Sequence, residues 1–506
     1  FQIMLNVVFT SLLALITVKL LLFLKSLKRK YDFVSKMPGP YAKPLIGNAL
    51  DFGKDSFETT PFLINSANEQ LAKGNNIMRL WVGTMPLVLP LNGEALKPIL
   101  DSTVEISKGS DYDLSKTWVG TGLLTSTGAK WKSRRRLLTP TFHFAMLEGY
   151  VAKMDRHARI LLDLLEDKVG LTFDIHPFVR RCALDIICDT AMGLELDSQH
   201  NPTQPYACTV SDFITFIRTY TVTPSMWIPP IWYAFHYRNY KRMLDVLLSF
   251  TREVIEERKQ AHARGDLKFE ETGKRKAFLD MLIEMNGANV LTDEDIREEV
   301  DTFMFEGHDT TSSAMAWTLW ALATNPDIQK RVQEEVDSVF SDSDSSITVE
   351  ELKSLPYLER VIKEALRIFP AVPIIQRKTI NDFQMGDYTV PKGVDITIAP
   401  IVIHHNQQVF PNNWVFDPDN FLPEKVAQRH AYDYIPFSAG LRNCIGQKFA
   451  MNEEKLIIAW IMRRFSVHTD IDMLKNEMGP EIVLRPSLGV PITLKKRVKT
   501  DVCRQE

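Results

Sequence analysis

Phe437-Ser438-Ala439-Gly440-Leu441-Arg442-Asn443-Cys444-Ile445-Gly446 carries the most specific chemistry in the chain. It fits F-x-x-G-x-R-x-C-x-G, and five fixed positions should match by chance on the order of once in ten thousand sequences of this length. Cys444 immediately precedes an amphipathic stretch, Gly446–Phe465, that reads as a helix. Its sulfur should therefore lie near free N–H groups and the positive end of a helix dipole, which lower a thiol pKa and hold a thiolate. Gly440 and Gly446 let backbone lie against a flat macrocycle, and Arg442 is placed to reach a propionate. The reading is an axial thiolate ligand to a haem iron, which favours O–O cleavage on the opposite face. A buried inert cysteine is the general alternative, and the complete motif weighs against it.

A second constellation is Glu299–Thr311, EVDTFMFEGHDTT, inside a long apolar helix that continues through Trp317 and Trp320. Thr292 and Asp295 predict a capping box at its start, with Asp in place of the usual Glu or Gln. Glu306, Gly307, Asp309, Thr310 and Thr311 interrupt the apolar face, and Gly costs about 1 kcal/mol against Ala in a helix. A site that needs locally opened backbone and a presented hydroxyl accounts for that cost. Thr310 could pass a proton through water during oxygen activation, with Asp309 helping to relay it. A helix kink with satisfied hydroxyls explains the same residues equally well.

Trp131 and Arg135 share a helical face, and an indole N–H with a guanidinium suits paired carboxylates such as haem propionates. Packing plus a solvated charge is the ordinary reading of that spacing. Lys132 and Arg136 form a second pair, on a different face, that serves either solubility or docking. Glu364 and Arg367 lie three apart in a mostly apolar helix, so the pair is expected to be partly buried and structural. Arg377 follows Pro370–Ile375, a turn into a strand.

These elements need a large fold around them. The 506 residues, 45% hydrophobic and 24% charged, would ordinarily suggest about three domains. The chain instead reads as one catalytic unit, because Ala261–Lys276 and Ser341–Ser346 are surface loops rather than linkers and no internal repeat is evident. A net charge of −3 without a basic domain argues against nucleic-acid binding. Five cysteines (Cys182, Cys188, Cys208, Cys444, Cys503) do not make a disulfide framework. They fit a reducing compartment, with Cys182 and Cys188 as inert buried thiols. Ile3–Leu24 is apolar and long enough for a bilayer core of about 30 Å. Lys25, Lys28, Arg29 and Lys30 follow it and leave the rest cytosolic. An uncleaved anchor fits better than a cleaved signal peptide, since no small-residue cleavage site precedes the basic cluster. The chain opens on Phe1 rather than Met, so its native start is expected upstream. Segment 1–24 is then the anchor, 25–48 a basic and proline-rich connector, stiff and extended through Pro38–Asn48, and 49–506 the catalytic domain.

With these motifs the chain resembles the cytochrome P-450 superfamily from the anchor to Gly446 and beyond. It most resembles family 4, an insect-like relative of the fatty-acid ω-hydroxylases, on EVDTFMFEGHDTT, Gly122-Leu123-Leu124 and Leu138-Thr139-Pro140. The resemblance implies a mainly α fold with a small β region and a single N-terminal transmembrane helix. It implies haem b ligated by Cys444, with Phe437 and Gly446 in the cysteine loop and propionates held by Trp131, Arg135, Arg377 and Arg442. Thr310 and Asp309 would serve oxygen activation, and Glu364 and Arg367 would lock the core near the haem's cysteine side. Asn420 stands where the family has a third arginine, so a neutral hydrogen bond is expected there. Leu441 replaces the family's proline and should loosen the loop and weaken haem retention. Glu306 replaces the usual alanine, and in several family members it is esterified to a haem methyl; an unlinked, hydrogen-bonded glutamate is the other reading.

The aromatic and proline-rich Phe213–Tyr240 would form an access lid at the membrane. The implied activity is monooxygenation of a lipophilic substrate, a fatty acid or related lipid, at the endoplasmic reticulum membrane. No nicotinamide or flavin loop is present. Electrons would come from NADPH–cytochrome P-450 reductase, with cytochrome b5 as a further donor, docking on Lys132, Arg136 and Lys448. Other readings on the same scaffold are a xenobiotic- or hormone-metabolising oxygenase, a hydroperoxide isomerase and a non-enzymatic haem-binding protein.

Overall fold

The computed structural model describes residues 2–53, 55–142, 144–265, 277–340 and 345–497. Helices dominate. Those used below are α1 (Gln2–Val34), α2 (Gly128–Leu138), α3 (His176–Ile187), α4 (Pro205–Val222), α5 (Asp293–Thr324), α6 (Pro356–Ile368) and α7 (Gln447–Arg464). Four strands form the main sheet: β1 (Ile77–Val82), β2 (Met85–Pro90), β3 (Ile375–Lys378) and β4 (Asp395–Ile398), in the order β1-β2-β4-β3. β2 and β4 run parallel, while β3 is antiparallel to β4 with Arg377 opposite Ile396. The mainly α architecture with small β-sheets is the one expected.

The central helix, α5, starts where the capping box places it. Asp295 N donates to Thr292 Oγ1 at 3.1 Å, and Thr292 N donates back to Asp295 Oδ2 at 3.0 Å. The helix then continues without interruption through Gly307 to Thr324. Thr310 Oγ1 bonds the Glu306 carbonyl at 2.7 Å. Its neighbours are α3, α6 and α7, which close the core around it.

Glu364 and Arg367 of α6 are fully buried and paired at both ends, with Nε to Oε2 and Nη2 to Oε1 at 2.8 Å. Asn420 Nδ2 donates to Glu364 Oε1 at 3.1 Å, the neutral third link anticipated for that position. Arg429, which the sequence did not single out, lies between the Phe410 and Phe421 rings and bonds the Asn420 carbonyl. Cys182 and Cys188 are buried thiols pushed well above their ordinary range, as inert core cysteines are.

At the N-terminus α1 is long and apolar enough to cross a membrane and is exposed along that length. It does not end at residue 24. Its last turns dock on the sheet region: Arg29 pairs with Asp382, Lys30 Nζ bonds the Gly393 carbonyl at 2.8 Å, and the Tyr31 ring lies 5.5 Å from Trp81. The connector then folds back in a turn bridged by Lys43 and Gly47, so it is not extended throughout. α1 thus passes without a break from the apolar segment into the docked one. Residues 261–264 likewise belong to a helix, Tyr237–Arg264, which Gly265 caps; 266–276 of that expected loop, most of Ser341–Ser346 and Cys503 lie outside the described residues.

Glu454 of α7 is buried, and its Oε2 has no hydrogen-bond partner among the described residues. Burial raises its carboxyl from 4.5 to about 8. The unfolded chain then loses this proton near 4.5 while the folded one keeps it, so stability falls as pH rises from 4.5 to 8. Glu454→Gln should remove that loss. The variant should gain about 3 to 5 kcal/mol relative to wild type between pH 5 and pH 8.5, read from denaturation midpoints; a pH-independent difference would refute the assignment.

Candidate functional site

Two elements face each other across the interior. On α5 every residue from Ile296 to Ala323 is buried except Glu306, Gly307 and Thr310. These three share one face, and their accessible surface in mid-core means that this face opens on interior space. Opposite it stands the cysteine loop, where Cys444 also retains accessible surface.

Local geometry explains the loop. Gly440 takes φ +67°, and a Cβ there would lie 1.9 Å from the Leu100 carbonyl oxygen, so only glycine fits. Cys444 N donates to the Phe437 carbonyl at 2.9 Å, and Gly446 caps α7. Arg135 of α2 donates to Asn443 O at 2.8 Å and to Asn443 Oδ1 at 2.7 Å. That guanidinium is therefore engaged with the loop rather than turned to the open face. Leu441 is 44% exposed, so its side chain is only partly packed.

The expected depression of the Cys444 pKa does not occur in the polypeptide. Burial and the Glu306 carboxylate push the thiol up to about 11, against the lowering by the Gly446 amide and Arg135. The helix N-terminus acts in the predicted direction but is outweighed, because a thiolate in a low-dielectric interior lacks solvation.

A cluster of cations completes the site. Arg442 donates to the Leu123 and Leu124 carbonyls at 3.3 and 3.0 Å, and its guanidinium lies 4.7 Å over the Trp131 ring. Burial and repulsion by Arg377 lower it to about 9. Arg377 is buried on β3, where Nη1 bonds only the adjacent Gln376 carbonyl among the described residues. Lys108, joined to Arg377 by a β-bridge, is also driven well down by burial, Arg377 and Arg442. Its Nζ lies 3.4 Å from the Tyr112 hydroxyl, which burial raises to about 12. Glu306 opposes these cations; burial raises its carboxyl while Lys108 and Arg442 pull it down. Sequence reasoning missed Lys108 and Tyr112. Their neighbours carry no pattern, and only the pairing with a strand 269 positions away brings Lys108 to the site.

Asp309 is placed differently from its neighbours. It is fully buried on another face of α5, with Arg485 Nη2 3.1 Å from Oδ2 and Arg180 Nε 3.9 Å from Oδ1. Burial raises its carboxyl, but Arg485 and then Arg180 outweigh that and leave it below its ordinary value.

The Cytochrome P450 family profile matches residues 37–493. The chain belongs to the cytochrome P450 family. It is 42% identical over 499 residues to human cytochrome P450 4V2, covering 96% of this chain and 94% of that protein. Identity to Drosophila melanogaster cytochrome P450 4c3 is 38% over 506 residues, with 96% and 94% covered. With Blattella germanica cytochrome P450 4c21 it is 37% over 499 residues, with 97% and 99% covered. This P450 is therefore a family-4 monooxygenase whose cofactor is haem b, and such enzymes draw on a redox partner and act on lipophilic substrates.

The donor set fits that cofactor. One accessible thiol faces Glu306 and Thr310, and the Arg377–Arg442–Lys108 cluster is mutually repulsive until acidic groups join it. Arg442 Nε, buried and without a hydrogen-bond partner among the described residues, is a donor such an acid would satisfy.

Restoring proline at the exposed loop position should stiffen the loop at small cost in packing. Leu441→Pro should raise stability by about 0.4 to 1 kcal/mol and slow haem loss to apomyoglobin. Gly440→Ala should abolish haem incorporation. Unchanged haem loss in the first variant would show that the loop is already rigid.

Proposed function

We propose that this P450 hydroxylates a fatty acid or related lipid at or near its chain terminus, using electrons from a membrane NADPH-dependent flavoprotein reductase, with cytochrome b5 as a further donor. The observation that carries this reading is Glu306, which shares the one open face of α5 with Thr310 opposite Cys444. Bound haem supplies the oxygen-activating chemistry. The residues then divide the remaining work. Cys444 would hold the haem iron, and Arg135 steadies its loop through Asn443. Arg377, Arg442 and Lys108 would hold propionates, and Trp131 backs the Arg442 guanidinium. Thr310 lies on the open face and would hand on a proton once its hydroxyl leaves the Glu306 carbonyl, while Asp309 behind it, kept ionised by Arg485 and Arg180, would turn away from Arg485, take up a proton from water and relay it.

Glu306 is also the carboxyl from which an ester to a haem methyl would form, one methyl C–H bond being broken and the carbon oxidised by two electrons at the expense of O2 during NADPH-driven turnover, with the hydrogen lost as a proton. A haem fixed there would hold still while a terminal C–H bond is chosen over weaker internal ones. Substrate arrives from the bilayer. Trp227, Ile228, Tyr233, Phe235 and Tyr237 are exposed beyond α4 and suit a lipid interface. In this reading 1–24 anchors the protein in the endoplasmic reticulum membrane, 25–48 connects, and 49–506 is the cytosolic catalytic domain. Lys132 and Arg136 are exposed on α2 and, with Lys448, receive the acidic reductase.

Reconstitution with reductase and NADPH over a panel of fatty acids, terpenoids and drug-like compounds should give mainly terminal hydroxylation of fatty acids. Turnover confined to the other compounds would favour a xenobiotic- or hormone-metabolising role. Cys444→Ala should lose the thiolate-type Soret band of the reduced, CO-bound protein, and persistence of that band would overturn the ligand assignment. Denaturing acid extraction should leave haem on the wild-type chain and release it from Glu306→Ala; free release from both means that Glu306 is unlinked.

A further inference from the structure

The Ser/Asp run at 341–346 takes no part in the site described above, yet its last two residues lie on a cluster of arginines. Ser345 and Ser346 sit in irregular backbone just before the short helix Val349–Lys353, and Ser346 is exposed. Arg159, from the helix Phe144–Glu166, brings Nη2 to 3.4 Å from Ser346 Oγ, the long end of a hydrogen bond. Arg463, from the last turn of α7, donates from Nη1 to the Ser345 carbonyl at 3.3 Å. Both guanidiniums pack on one ring, with their centres 4.6 and 4.2 Å from the Trp460 centroid. Held on an indole, they have lost rotamer freedom before any anion arrives. The nearest acid, Asp155, is already engaged. It accepts from Trp460 Nε1 at 2.7 Å, from the Ile347 amide at 3.0 Å and from Arg159 Nε at 3.0 Å. Glu351 is turned to the Thr348 amide and hydroxyl, both at 2.8 Å. Burial first, and then repulsion by Arg159 and Arg464, lowers the Arg463 pKa, while Asp155 and Glu351 act against them. Three guanidiniums crowd this corner.

The chain around the serines is acidic instead. No Lys or Arg occurs between Arg331 and Lys353, and Asp342, Asp344, Glu350 and Glu351 lie within five residues of Ser346. An exposed serine in non-helical backbone, flanked by carboxylates, suits the basic substrate cleft of an acidic-directed protein kinase. We propose that Ser346 is a phosphorylation site for such a kinase, and that Arg159 and Arg463 receive the phosphate. In the transfer Ser346 Oγ attacks the γ-phosphorus of ATP. The new O–P bond forms as the β,γ-bridging O–P bond breaks, ADP leaves with that electron pair, and the hydroxyl proton passes to the kinase's base. The product adds close to two negative charges and three acceptor oxygens beside the fork of Arg159. That fork can keep Nε on Asp155 and give its Nη atoms to phosphate. Arg463 stands one residue away, at the Ser345 carbonyl. The phosphate thereby ties the chain before Val349–Lys353 to Phe144–Glu166 and to the far end of α7.

In microsomes from cells that express the full chain, mass spectrometry of the tryptic peptide Val332–Lys353 should find phosphate on Ser346, and phosphatase treatment before digestion should remove it. Ser346→Ala should lose this phosphate and keep the wild-type CO-bound spectrum. Phosphoserine placed at 346 by nonsense suppression, in the haem-loaded enzyme, should slow amide hydrogen exchange across 347–353 about fivefold. Arg159→Gln should abolish that slowing, and Arg159→Lys, which keeps the charge and loses the fork, should retain part of it. A peptide without phosphate on Ser346, or with phosphate on Ser338 or Ser345 alone, would overturn the site. Equal exchange with and without the phosphate, or a slowing that persists in Arg159→Gln, would overturn the role given to the arginines.

Discussion

A helix of 32 residues can run through the middle of a protein only if each of its polar side chains finds a partner there. In α5 some polar side chains turn back on the helix's own backbone or charges, and others reach different elements, so satisfying the helix helps to assemble the fold. Asp295 takes Arg134 of α2, and Glu298 takes Lys130 together with the Thr121 amide. Glu299 accepts from the Leu123 amide at 3.0 Å. That same short segment then offers its carbonyls to Arg442, so the cysteine loop is positioned from α5 through one intermediate. Further along, Thr311 bonds Glu453 of α7, and Ser313 bonds the Leu484 carbonyl. The open face is what remains once these demands are met.

The charges around that face obey the same rule in reverse. Lys108, Arg377 and Arg442 repel one another, Glu306 is only a partial answer to them, and the Cys444 thiol is raised. A polypeptide that places three cations and a thiol around one carboxyl is electrostatically incomplete by itself. A bound haem would supply both an iron cation for the thiol and acidic groups for the cations, and so would relieve both terms together. This explains why two glycines, one of them sterically irreplaceable, are spent on a loop that packs so little of its own side-chain surface.

The cysteine motif, the capping box of α5 and the Glu364–Arg367 pair could be read from sequence, because each depends on spacing within one segment, whereas the neutral Asn420 link, between segments 56 residues apart, was legible only through the family resemblance. What could not be read depends on pairing between segments. Lys108 reaches the site through a bridge to Arg377, and Asp309 is defined by arginines 129 residues before it and 176 residues after it. Arg135 looked like a propionate ligand by residue type, yet its guanidinium is committed to Asn443. The Cys444 thiol follows the same division: the helix N-terminus that lowers it is a local feature, whereas the burial that raises it in the polypeptide alone belongs to the whole fold.

The continuity of α1 has a mechanical meaning. The apolar helix passes unbroken into turns that contact Asp382, Gly393 and Trp81. With residues 1–24 in a bilayer, as proposed, a tilt imposed on them would reach the main sheet through continuous helix rather than through a loose tether. Membrane thickness would then act as a steering variable for the angle at which β3, and Arg377 upon it, meets the lipid plane.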